Sequence, residues 1–226
     1  MTRAVCTLGL AIAVLVAPLS AARADEPAAS AAAHDDAARA HARSRYLEGV
    51  AFVQKAQWSD ALAAFEESAR VFPNPTTTLD IGACERALGR YVRARATLQR
   101  ALDESAASAS PLPESSAADA KAFLGEIDRL LVTAAVHVEP VDAAIAIDGR
   151  PLAPSTRDGK PVLAAGVLPP GPGAPPPSAD FVVVLDPGVH VITLSRKGFA
   201  EAVVNRSFAP GVRSTLDLKL DRLPAT

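Results

Sequence analysis

Four histidines, His34, His41, His137 and His190, are the side chains best suited to acid–base or metal chemistry in this 226-residue chain. No two stand at the i, i+4 spacing that aims a pair of imidazoles at one ion from a helix, and no two share a short motif. His190 follows the turn Pro187-Gly188, where a ring hydrogen bond that steadies the turn is the ordinary role. Cys84 is the only thiol beyond Cys6, which falls in the apolar amino terminus, so the mature chain cannot form an internal disulfide. Cys84 sits within an apolar helical pattern, which favours packing over reactivity. A Gly-x-Ser-x-Gly elbow, a phosphate loop and paired CxxC motifs are absent. Catalytic residues, metal ligands and cofactors are therefore expected to be none, and the chain is not expected to be an enzyme.

Charged residues point the same way. Glu66, Glu67, Glu85 and Glu126 lie among Arg86, Arg90, Arg93 and Arg95 on predicted helices, a pattern of surface ion pairs. The basic run from Arg90 to Arg100 lacks interleaved aromatics, and the formal net charge is −2. Nucleic acid is not an expected partner, because no basic face is there to neutralise phosphates.

The elements that carry these residues are set by a repeat. Gly49, Trp58, Ala61 and Phe65 return as Gly82, Tyr91, Ala94 and Leu98, each 33 positions on (49 to 82, 58 to 91, 61 to 94, 65 to 98). Small, aromatic, small and large apolar residues in that order mark a helix–turn–helix unit used twice. A helical pattern starts near Asp36, with Tyr46, Val50 and Val53 on one face, after a flexible leader over 25–35. Trp58 to Val71 is a second helix, ended by Pro73-Asn74-Pro75. Thr76 to Leu88 and Tyr91 to Ser105 repeat the pair. A fifth helix spans Ser116 to Leu131, with Ser116 and Asp119 as an acidic capping box. Its stripe of Ala120, Phe123, Leu124, Ile127, Leu130 and Leu131 needs a partner, for which the end of the second unit is the natural candidate.

Beyond Thr133 the period becomes strand-like. Runs over Ala134–Glu139, Ala143–Ile147, Phe181–Leu185, Val189–Ser195, Ala202–Phe208 and Ser214–Leu220 are separated by turns at Asp148-Gly149, Pro187-Gly188, Lys197-Gly198 and Pro210-Gly211. Short strands with regular turns predict a small antiparallel sandwich. Ala153 to Ser178, rich in proline and glycine, interrupts the pattern and predicts an exposed loop insertion. The expected architecture is thus α+β and multidomain: helical hairpin repeats with a capping helix over 36–132, then a β domain over 134–223 with its insertion at 153–178.

The helical part resembles the tetratricopeptide repeat. Gly49, Phe52, Ala61, Phe65 and Pro73 stand at that family's spacing in the first unit, and Gly82, Ala94, Leu98 and Ala101 in the second, where Glu85 replaces the aromatic. The carboxy-terminal part resembles the PEGA domain. Pro140-Val141-Asp142-Ala143 occupies the place of the namesake tetrapeptide, followed by Ile145 to Leu152, Leu185 to Val191 and Lys197-Gly198-Phe199. His190 stands where that family has a histidine after the turn.

The tetratricopeptide resemblance implies a partner groove lined by the first helix of each unit: Arg43, Tyr46, Val50, Val53, Gln54, Leu79, Ala83 and Arg86. An arginine at each end and an apolar centre would suit an extended or helical peptide. The competing reading makes Val50, Val53 and Leu79 core against the fifth helix. The amino terminus has the parts of a signal peptide: Arg3, the apolar run Ala4–Val16, Pro18 and Ala22-Arg23-Ala24. Cleavage after Ala24 would export the chain to the periplasm or beyond; an uncleaved anchor is the alternative, although the run falls short of a span of about 20 residues. Two functions follow. One is a non-catalytic envelope adaptor that binds a protein partner through its helices and attaches through its β module. The other is a carbohydrate or peptidoglycan-binding module, for which Phe181, Phe199 and Phe208 are the available stacking residues.

Overall fold

A computed structural model describes the backbone of residues 26–224 and the side chains of residues 35–224. The signal-peptide reading of residues 1–24 lies outside that range. Five helices come first: α1 (Glu26–Gln54), α2 (Trp58–Val71), α3 (Pro75–Ala87), α4 (Tyr91–Ala107) and α5 (Glu114–Leu130). No helix of the described residues is long and apolar enough to cross a membrane.

Two helix starts differ from expectation. The stretch read as a flexible leader is helical from Glu26. Alanine, which fills it, is the strongest helix former and needs no apolar periodicity to adopt the conformation. The last helix begins at Glu114 behind Pro113, with no side-chain cap, so Ser116 and Asp119 form no capping box. The α2–α3 corner follows the rules closely: Asn74 accepts the Thr77 N–H at 2.9 Å and Pro75 fills the first helical position, where no N–H is required.

The 33-residue echo has a packing cause. A Cβ on Gly49 would lie 2.6 Å from the Phe65 ring, and one on Gly82 would lie 2.8 Å from Leu98. In each unit the first helix therefore touches the second through bare backbone, and Ala61 and Ala94, both fully buried, keep the helices close from the other side. The stripe of α5 meets the second unit as expected: Ala120 and Ile127 join Leu79, Val92, Leu98 and Ala101 in one cluster.

Nine strands follow: β1 (Val132–Glu139), β2 (Ala144–Ile147), β3 (Arg150–Pro151), β4 (Ala153–Arg157), β5 (Lys160–Ala164), β6 (Asp180–Leu185), β7 (Gly188–Ser195), β8 (Ala202–Phe208) and β9 (Arg213–Lys219). They form a five-stranded sheet in the order β4-β5-β6-β1-β9 and a four-stranded sheet in the order β3-β2-β7-β8. Alternate residues of both sheets meet in a single core, with Val132, Val136, Val183 and Leu185 from the first and Ile145, Ile192, Leu194 and Phe208 from the second.

The β region corrects two expectations. The segment 153–178 is not wholly a loop, because its first half is the hairpin β4–β5, turned by Asp158-Gly159 with both residues at positive φ. Pro154 is tolerated because β4 is an edge strand, and Pro161 lies outside the ladder that joins β5 to β6 at Leu163 and Ala164. The five-stranded sheet is also not purely antiparallel: β1 runs parallel to β9, and β5 to β6. The stretch 165–179 is long enough for the crossover of about a dozen residues that a parallel pair requires.

Among the described residues, the helices and sheets from residue 38 onward form one compact unit. The outer face of the five-stranded sheet contributes Ala153, Ala164 and Val184 to the same cluster as α4 and α5. Across this seam the Asp186 carboxylate accepts the Val92 N–H at 2.8 Å, capping the start of α4 from the β side. Burial raises the Asp186 pKa above the ordinary range despite that hydrogen bond. Sequence periodicity marks each face as apolar but cannot say that the two faces cover one another.

Candidate functional site

Among the described residues, no group of three His, Cys, Asp or Glu side chains is placed to hold a metal ion. The three histidines among the described side chains are instead dispersed and paired. His41 meets Glu67 at 3.1 Å and His137 meets Asp180 at 2.8 Å. His190 bridges two turns, with Nδ1 2.6 Å from the Asp148 carboxylate and Nε2 2.8 Å from the Asp186 carbonyl oxygen. Cys84 is buried in the core of the first unit, where burial, with the charges of Asp80 and Glu85, pushes its thiol up to about 12. A thiol so rarely ionised makes a poor nucleophile.

The eight groove residues do not share one setting. Arg43 and Tyr46 line an open cleft of about 500 Å³ formed by α1, α2 and the start of α3. Val50 and Val53 pack, partly buried, against Ala61, Phe65, Ile81 and Cys84, and Leu79 joins the cluster shared with α4 and α5. The two valines are thus core between the first three helices rather than against α5. Arg86 is held by α5: its guanidinium lies 4.4 Å from the Phe123 ring centroid and its Nε is 3.0 Å from Glu126. Gln54 is exposed at the end of α1, and Ala83 is half-buried.

The cleft is assembled from short-range rules. Tyr46 lies one turn before Val50 on α1 and rests against Phe65 with ring centroids 5.4 Å apart. Burial, and then the neighbouring Asp80 carboxyl, raises its hydroxyl to about 12, so it remains a hydrogen-bond donor across the physiological range. Asp80 is itself raised by burial, against the opposing hydrogen bond from Tyr46. Ser68 donates to the Ala42 carbonyl at 2.8 Å and pins α2 to α1 at the cleft floor. Arg45 and His41 flank Glu67 on the outer side, and the His41 hydrogen bond leads in holding that carboxyl below its usual range.

Asn74 and Thr77 also line the cleft, with Arg39, Phe72 and Thr76. Arg39 stands one helical turn before Arg43, its guanidinium 5.5 Å from the ring centroid of Phe72, which is 45% exposed. Among the described residues neither Arg39 nor Arg43 takes part in an ion pair, although Asp35 and Asp36 are close in sequence. Arg39 was legible as the i−4 neighbour of Arg43, whereas Phe72 beside a helix-ending proline reads from sequence as core. The cleft therefore offers the guanidinium groups of Arg39 and Arg43, a phenolic oxygen and an exposed ring.

The phenylalanines considered for sugar stacking are otherwise engaged. Phe208 is buried, Phe181 packs on the β core, and Phe199 has Arg196 and Arg222 against its ring at 4.7 and 5.6 Å. A scan against protein-family models and a search of curated proteins return nothing similar to this chain.

Proposed function

We propose that this chain is a non-catalytic, exported adaptor whose helices hold a segment of a protein partner and whose β module contacts other envelope components. The observation that carries the proposal is the cleft of about 500 Å³ in which unpaired Arg39 and Arg43 stand beside exposed Phe72 and the Tyr46 hydroxyl. Two cations, one of them over an apolar ring, suit a segment that carries acidic and large apolar residues together. The close approach of Gly49 to Phe65 and of Gly82 to Leu98 supports the tetratricopeptide-like reading of α1 to α4. The shared core of the two sheets, with the turn at Asp148-Gly149, supports a PEGA-like sandwich.

Pull-down of the mature chain from an envelope extract tests this reading. Arg39→Glu with Arg43→Glu should remove the captured protein while the melting temperature stays close to wild type. A partner set unchanged by the double substitution would rule the cleft out. Arg86→Glu is the poorer probe, because it also breaks the contact with Glu126 and Phe123.

A further inference from the structure

β9 is the last strand of the five-stranded sheet, and among the described residues no strand lies beyond it. Which of its groups face that open side follows from the side already filled. Thr133 donates its N–H to the Val212 carbonyl at 3.1 Å, and Leu220 donates its N–H to the Glu139 carbonyl at 2.9 Å. Even-numbered residues along this stretch therefore face β1, and the main-chain groups of Arg213, Thr215, Asp217 and Lys219 point outward. Past the strand the same flank is covered. Ala200 donates its N–H to the Asp221 carbonyl at 2.9 Å, and Leu223 donates to the Gly198 carbonyl at 3.1 Å. The unpaired row is thus open over 213–219 and closed by 198–200 after it.

The same four residues have exposed side chains, whereas Leu216 and Leu218 turn into the core. Lys219 is paired with Glu139 at 3.3 Å, but among the described residues neither Arg213 nor Asp217 takes part in an ion pair. They cannot meet each other, because four residues of strand separate them by about 13 Å. Charges of one sign on an edge strand repel a second strand. Here the two signs stand at equal distances on either side of Thr215, so a two-fold axis there makes the edge complementary to itself. The other sheet edges lack this property. β3 has two residues, β4 carries Pro154, and on β8 Arg206 lies on the opposite face from the nearest acid, Glu201.

From this arrangement we infer that the free edge of β9 pairs antiparallel with β9 of a second copy of this chain, about a two-fold axis at Thr215. Arg213 of each copy then lies opposite Asp217 of the other, and the two Thr215 residues face one another. All three positions have outward main-chain groups, so each pair exchanges both of its N–H and C=O bonds. Lys219 falls opposite Gly211, where no charge opposes it. The register is specific. An axis at Leu216 sets Arg213 against Lys219, and an axis at Asp217 sets the two aspartates face to face. The interface does not involve the cleft around Arg43, so either can fail without the other.

Sedimentation velocity on the mature chain across a concentration series tests the inference. The chain should form a dimer and nothing larger. Arg213→Asp and Asp217→Arg should each weaken dimerisation by about tenfold or more, by setting like charges opposite one another, and the two together should restore it. Restoration distinguishes a lost interface from a poorly folded variant. Thr215→Cys should form a disulfide between copies under mild oxidation, since the Cα atoms of a hydrogen-bonded pair lie about 5.5 Å apart. Asn205→Cys on β8 should not, and the native Cys84 is buried and does not compete. A chain that stays monomeric, or a dimer indifferent to both single reversals, would overturn the proposal. So would a double variant as weak as either single one, or a disulfide at 205 formed as fast as at 215. The linked product is two copies of this chain, so its mass tells it apart from a partner held near Arg43.

Discussion

The two 33-residue units share a frame and differ in what they bury. In the first, Phe65 packs under Gly49, and Phe52 joins Tyr46, Val53 and Trp58 around an apolar and aromatic core. In the second, Leu98 packs under Gly82, and the counterpart of Phe52 is Glu85, 1% exposed, with the Arg93 Nε 2.8 Å away. The second unit is covered by α5 and the five-stranded sheet, while the first keeps one end open as the cleft. One backbone frame therefore has two settings: the covered copy joins helices to sheet, and the open copy keeps a cleft.

The largest expected effects come from the paired side chains under the glycines. Leu98→Ala should cost about 2–5 kcal/mol and Phe65→Ala about 3–5 kcal/mol, measured by denaturant unfolding. Their reach should differ more than their size. Hydrogen exchange should show Leu98→Ala loosening β6 together with α4 and α5, whereas Phe65→Ala loosens only α1 to α3. Equal spread from both would mean that the units are not distinguished by what covers them.

Next are the glycines. Gly49→Ala and Gly82→Ala should each cost about 1–3 kcal/mol, because the new Cβ overlaps a packed side chain. Gly82 should be the worse site, since a Cβ there also comes within 3.3 Å of the Leu98 backbone nitrogen, whereas the Phe65 ring can tilt.

How much of this was legible in the sequence depends on the range of the interaction. The spacing of Gly49 with Phe65, the Asn74-Pro75 start and the turn at Asp148-Gly149 are local, so residue types alone reveal them. The hairpin β4–β5 was equally local, and Asp158-Gly159 signalled it. The surrounding prolines outweighed that signal, because edge position cannot be seen before the sheet order is known. The Asp186 cap on α4 joins residues far apart in sequence and has no sequence signature. The candidate groove was half legible: helical spacing brought Arg43 and Tyr46 together, but nothing in the sequence showed that α5 would hold Arg86.

A smaller effect concerns pH. Burial raises the Glu85 pKa in the folded chain, with Thr97 and Arg93 opposing it in part. The folded state then holds its proton where the unfolded state has lost it. Stability should therefore fall as pH rises through the ordinary glutamate range toward the raised folded value, and level off above it. Glu85→Gln should flatten that part of a melting-temperature profile; an unaltered profile would remove Glu85 as its source. The first unit, with Phe52 at this position, has no counterpart to the effect. Smallest of all, Arg39→Glu with Arg43→Glu should change stability by no more than about 0.5 kcal/mol, because both side chains are exposed.

A photoreactive residue at position 43, compared with one at exposed Lys219 on β9, puts the proposed binding role of the open unit at greatest risk. Irradiation of intact cells should join one defined polypeptide to position 43 and not to position 219, and Arg39→Glu should abolish the adduct. No adduct at 43, or the same labelling at both positions, would contradict the assignment of the cleft as the partner site.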